Sequence, residues 1–128
     1  MYQKDRRPLQ FEIEEVQDAD GAKAATVHCH GGGWTNGFTS FSDRIKALIG
    51  EGAHIRLDLA DVPDIDDSGL SLLAMVKVMA TRQGNCRLEL ENLSPRLIEL
   101  LRITGIDQIY ADQKPAAPAG SSPGSATS

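Results

Sequence analysis

Residues 54–93 read HIRLDLADVPDIDDSGLSLLAMVKVMATRQGNCRLELENL, and the succession of patterns within them decides the fold. Ile55, Leu57 and Leu59 alternate with His54, Arg56 and Asp58, and Cys86, Leu88 and Leu90 alternate with Arg87, Glu89 and Glu91. A period of two with one apolar side marks a strand with one wet face. Between the two runs, residues 69–82 (GLSLLAMVKVMATR) end at Gln83-Gly84-Asn85 and have the length of a crossover helix, which makes the strands parallel neighbours. Strands covered on both faces read as unbroken apolar runs, so the alternation places the helices mainly on one face of the sheet.

Working outward, Phe11, Ile13 and Val16 alternate with charged residues, and Asp18-Ala19-Asp20-Gly21 supplies turn chemistry before the run from Ala25 to His30. This predicts an N-terminal β-hairpin. Gly31-Gly32-Gly33 then breaks the strand, and Phe38, Phe41, Ile45, Leu48 and Ile49 recur at helical spacing up to Gly50-Glu51-Gly52. Beyond the last strand, Ser94-Pro95 offers an N-cap with proline at N1, followed by Leu97, Ile98, Leu101 and Thr104 and a Gly105 C-cap. Ile106 to Tyr110 is expected as a short edge strand or turn. The order is β-β-α-β-α-β-α, an α/β fold with a single mixed β-sheet: an N-terminal hairpin plus parallel crossovers.

The chain of 128 residues has room for one core. Residues 1–9 are expected as an N-terminal arm and residues 10–112 as the domain. Residues 113–128, rich in Pro, Ala, Gly and Ser, are expected as a disordered tail, because they bury too little apolar surface to offset ordering. Thirteen Lys and Arg against eighteen Asp and Glu give a net charge of −5, which repels phosphate backbones and argues against a nucleic-acid partner. Cys29 and Cys86 read as two free thiols in a reducing cytoplasm, the first residues contain no apolar signal-peptide core, and residues 70–80 are too short to insert directly in a membrane.

Several constellations hold residues capable of chemistry. Asp64-Ile65-Asp66-Asp67-Ser68-Gly69 opens like a calcium loop, but Met75 stands where the twelfth-position glutamate belongs. His28 and His30 would share one strand face opposite Cys29, and two ligands do not make a metal site; a wet polar face over a buried thiol is the simpler reading, and His54 is expected to be solvated too. Gly31 to Gly37 lacks the ending of a P-loop and reads as a flexible connection. No nucleophile elbow surrounds Ser68, so no catalytic residue, cofactor or metal is assigned and the protein is expected not to be an enzyme. Asp67 or Ser68 is expected to cap the helix that follows, whose Leu70, Leu72, Leu73, Ala74, Met75, Val76, Val78 and Met79 cover nearly its whole circumference. That excess of apolar surface suggests a partner.

The ordered signals Asp58-Leu59, Ile65-Asp66-Asp67-Ser68-Gly69-Leu70, Gln83-Gly84-Asn85, Asn92-Leu93-Ser94-Pro95 and Thr104-Gly105-Ile106 resemble the STAS domain, named for sulfate transporters and anti-sigma-factor antagonists. The resemblance is clear over residues 53–110. It implies a non-enzymatic binding module that acts in partner switching, a form of signal transduction that regulates bacterial transcription. The module docks on an anti-sigma factor with kinase activity, which phosphorylates the hydroxyl residue after the motif aspartate. Asp66 matches that aspartate, Asp67 takes the phosphoacceptor position in place of Ser or Thr, and Ser68 is an alternative phosphoacceptor. The implied contact centre is Asp66, Asp67, Ser68, Gly69 and Leu70, with Met75 and Met79 adding apolar area and Trp34, Thr35 and Asn36 flanking it. The alternative is an accessory STAS subunit of a lipid-transport ABC transporter bracing its ATPase, which needs no phosphorylation.

Overall fold

The computed structural model describes residues 7–17, 21, 23–84 and 86–111; Asp18-Ala19-Asp20 of the expected hairpin turn, Asn85, and the expected tail lie outside them. Strands β1 (Gln10–Gln17), β2 (Lys23–His30), β3 (His54–Asp61) and β4 (Arg87–Glu91) form one sheet in the order β1-β2-β3-β4. β1 pairs antiparallel with β2, and β2–β3 and β3–β4 are parallel. The helices are α1 (Phe38–Gly50), α2 (Asp67–Gln83), α3 (Pro95–Thr104) and a single turn, α4 (Ile106–Ile109). The edge strand or turn expected at 106–110 is thus a helical turn: Gly105 at φ 80° reverses the chain, Ile106 and Tyr110 both bury, and the Tyr110 hydroxyl donates to the Leu73 carbonyl at 2.7 Å.

The alternation does what it implies. Ala25, Val27, Cys29, Ile55, Leu57, Leu59, Leu88 and Leu90 form the core with Phe41, Ile45, Leu72, Leu73, Val76, Leu97 and Leu101 from the helices. Phe11 and Ile13 of β1 pack against the same core, whereas Val16 lies on the opposite face and is exposed. Ile98, expected on the buried stripe of α3, is 42% exposed, because α3 buries only Leu97 and Leu101. The apolar girth of α2 is largely consumed inside the domain: Leu72 and Val76 are fully covered, Met75 and Met79 are half-buried, and Val78 is exposed. Even Lys77 is buried, with Nζ donating to the Leu88 carbonyl of edge strand β4 at 3.0 Å and lying 5.3 Å from the centre of the Tyr110 ring.

The wet face of the sheet is an ordered set of ion pairs. His28 stands between Asp58 (2.8 Å) and Glu14 (3.3 Å), and His30 between Asp61 (2.9 Å) and Glu12 (3.1 Å). Hydrogen bonds to these carboxylates hold both imidazoles charged to higher pH than usual. The β2–β3 register shifts between His28 and His30, so that His28 faces Asp58 but His30 faces Asp61. The bulge is braced by Asp58, whose Oδ1 accepts the Ala60 amide at 3.0 Å and the Asn92 side chain at 2.8 Å. His54 is better covered than expected, its side chain 18% exposed beside Glu89. Burial pushes the thiols of Cys29 and Cys86 up, and both cysteines are free. Among the described residues no helix is long and apolar enough to cross a membrane.

Candidate functional site

The chain leaves β3 and turns at Pro63 into α2, and the N-terminus of α2 lies where β3 ends. The cap is Asp66, not Asp67 or Ser68 as the sequence suggested: its backbone is extended (φ −85°, ψ 176°) and its Oδ1 accepts the Gly69 amide at 2.9 Å. Its second oxygen reaches out of the helix. Asp66 Oδ2 accepts both the amide and the hydroxyl of Thr35, each at 3.2 Å, and the Thr35 hydroxyl lies 3.0 Å from that of Ser68. The Asp66 amide donates to Gly32 O at 3.0 Å, which ties the start of α2 to the glycine loop after β2.

Asp67 therefore occupies the first turn of α2, exposed, where its carboxylate complements the positive end of the helix dipole. Among the described residues no side chain pairs with it. Thr35, Asn36, Asp67 and half-buried Asp66 and Ser68 form a polar rim. At 100° per residue, Met75 and Met79 lie within about 20° of Ser68 around α2, so they continue the Ser68 edge of the helix. The structure thus brings these expected site residues together.

Three others belong to the interior. Trp34, expected to flank the contact centre, is wholly covered: its indole N–H donates to Gly31 O at 2.9 Å and its ring packs at 5.1 Å against Phe41. A large apolar ring beside a forming core is drawn in, and only its loop neighbours remain outside. Gly69 is buried, and a Cβ there would collide with Ile65 and with the Trp34 ring. Leu70 is 7% exposed and offers a partner little surface. All three support the rim from below.

Sequence reasoning missed the neighbouring wall. A shallow hollow of about 360 Å³ lies beside Asp67 and Ser68 and is lined also by Thr35, Asp64, Leu70, Arg96 and Leu100. Buried Asp64 lies 3.6 Å from Arg96, in the first turn of α3. The available signal was the Ser94-Pro95 cap: a helix starting after a parallel strand begins at the same end of the sheet as one starting after its neighbour.

The comparisons fall on this geometry. The family model described as "Mlab, STAS domain" matches residues 16–111. The anti-sigma-B factor antagonist of Bacillus subtilis (strain 168) is 40% identical over 67 residues, which cover 52% of this chain and 61% of that protein. The chain thus spans about three-fifths of that relative's length. A solved STAS-domain structure described as an antisigma-factor antagonist from Rhodobacter sphaeroides aligns with a TM-score of 0.46 at 18% identity, covering 64% of this chain and 86% of that one. With a mixed four-stranded sheet and a family match that takes in β2 to β4 and every helix, the chain belongs to the STAS domain family.

Proposed function

We propose that the protein is a regulatory binding module of the anti-sigma-factor-antagonist kind, docking through the rim around the α2 N-terminus on an anti-sigma factor with kinase activity. The observation that carries the proposal is the exposed Asp67 carboxylate, unpaired among the described residues, in the first turn of α2, where the family resemblance puts the phosphoacceptor. The likeness to the anti-sigma-B factor antagonist supports the choice of partner. A carboxylate cannot take phosphate in the manner of a serine, and it sets a permanent negative charge where phosphate would add about −1.5 to −2. Asp67 thus imitates the phosphorylated, released state. Ser68, one position on and already engaged with Thr35, is the alternative acceptor. Cytoplasmic localisation goes with this reading, and no catalytic residue is assigned.

The test compares the native chain with Asp67→Ser as baits in source-cell lysate, followed by incubation of each captured partner with ATP. The expected result is capture of an ATP-binding anti-sigma factor by the serine form, with phosphate taken up at the new serine. Equal capture by both forms without phosphate uptake refutes the phosphomimic. The permanent charge also suits the second reading, an accessory subunit bracing an ABC ATPase, since that role requires no phosphate cycle. Capture of a transporter ATPase by the native form would establish it in place of the first.

A further inference from the structure

The glycine run after β2 is a seat for residues 7–9, not a slack connection. The Leu9 amide donates to Gly33 O at 3.1 Å, the Gly33 amide donates to Arg7 O at 2.8 Å, and Pro8 bridges Gly33 in parallel. The chain passes so close that a Cβ on Gly31 would stand 2.8 Å from the carbonyl oxygens of both Arg7 and Pro8, and one on Gly37 3.2 Å from that of Leu9. Gly31 and Gly37 also have φ of 88° and 94°, a region side chains disfavour. Leu9 is 6% exposed within the core cluster. The expected N-terminal arm therefore belongs, from Arg7 onward, to the packed domain, although it precedes the residues matched by the family model.

Arg7 adds a side-chain grip. Its guanidinium donates to both carboxylate oxygens of Asp61, at 3.2 and 3.1 Å, and to the Asp61 carbonyl at 3.0 Å. That carbonyl also accepts the Gly31 amide at 3.1 Å, so Arg7 and the glycine loop converge on one residue at the end of β3. The register shift is what brings Asp61 opposite His30, which shares the same carboxylate. On its other side the loop holds the candidate site. Gly32 O accepts the Asp66 amide, and Thr35, two residues beyond Gly33, bonds to the Asp66 carboxylate.

We propose that Arg7 is a positioning residue for the docking rim, acting through the glycine loop: Arg7 and Asp61 hold Gly31 to Gly33, and the loop holds Asp66 and Thr35. This rests on the docking rim of the proposed function. The Arg7–Asp61 pair is half-exposed, and pairs of that kind are weak. The device adjusts the rim without being needed to fold the domain.

Amide hydrogen exchange in the full chain tests it without any partner. In Arg7→Ala, the amides of Gly33 and Asp66 should exchange about three- to tenfold faster while Leu57 and Leu88 in the central core keep their native rates. Arg7→Lys, which keeps the charge but loses the two-pronged geometry, should fall between. Unchanged rates at Gly33 and Asp66, or acceleration shared equally by Leu57 and Leu88, would overturn the proposal. The second arm measures affinity of Arg7→Ala in the Asp67→Ser background for the captured anti-sigma factor. A loss of about three- to tenfold is expected, and an unchanged affinity with a loosened loop overturns the positioning role. If Asp67→Ser captures no anti-sigma factor, the docking reading fails, and the exchange rates still decide whether Arg7 controls the loop.

Discussion

Two helix N-termini, those of α2 and α3, flank the same hollow and follow the same capping rule, yet they are equipped differently. At α3, Ser94 Oγ accepts the Leu97 amide at 3.0 Å and donates to Pro63 O at 3.0 Å, and Pro95 fills the first helical position. All of that chemistry serves folding. Its first-turn cation, Arg96, sits at the unfavourable end of the dipole and is offset by Asp64 and Glu99. At α2, Asp66 caps with one oxygen and holds Thr35 with the other, leaving Asp67 outward with no described partner. A cap explains the aspartate before a helix; a second acid beyond it has only the weaker pull of the helix dipole to hold it there.

The difference can be broken from beneath. Trp34 lies under the start of α2, so Trp34→Ala should cost about 3–5 kcal/mol of unfolding free energy in a urea titration, a large share of a typical domain's stability. A loss under about 1 kcal/mol would mean that the ring is not core. Gly69→Ala should cost about 1–3 kcal/mol through the clash with Ile65 and Trp34, whereas alanine at exposed Ile98 of α3 should change little.

The caps themselves come next. Ser94→Ala and Asp66→Ala should each cost about 0.5–2 kcal/mol, with Asp66→Ala the larger because two bonds from Thr35 go with its cap, against the one to Pro63 O that goes with Ser94. Equal losses would show that the Thr35 bonds contribute no more than the Ser94 bond to Pro63 O. Asp67→Ser should move stability by only about 0.3–1 kcal/mol, the worth of a carboxylate at a helix N-terminus, so any change in partner binding would not be a folding effect.

The smallest expected effect is on the wet sheet face. His28 and His30 are raised by their carboxylate neighbours, so the stability they contribute is fully present below the ordinary imidazole range near pH 6.5 and is lost as pH rises through their folded-state values. The urea midpoint of the native chain should therefore decline as pH rises above about 6.5, relative to a His28→Gln/His30→Gln variant. Parallel curves would show that the pairs are fully screened.

Strand and helix order was legible because each element announces itself locally: Ile55-Leu57-Leu59 by period two, Phe41-Ile45-Leu48 by helical spacing, Ser94-Pro95 and Gly105 by capping chemistry. The loop and helix start that carry the candidate site were legible through the order of their motifs, and Asp67 lies, as that order implies, in the first turn of α2. What escaped depends on contacts distant in sequence. Nothing near Gly31 reveals that Arg7 and Pro8 cross it, and a tryptophan beside three glycines reads as loop until Phe41 and Gly69 close over it. The bulge opposite His30 could not be read either, since strict alternation would have put Ala60 there instead of Asp61. The apolar girth of α2 reads from the sequence as an excess, whereas the domain itself buries most of it, with Tyr110 of the α4 turn anchored to the Leu73 carbonyl.

Buried Lys77 also closes part of the sheet's edge. β4 is an outermost strand of only five residues, and the lysine ammonium occupies one of its carbonyl oxygens while Arg87, Glu89 and Glu91 line its wet side. A short rim, charged and partly engaged, is a poor template for another chain to extend, so this fold carries its own guard against edge-to-edge aggregation.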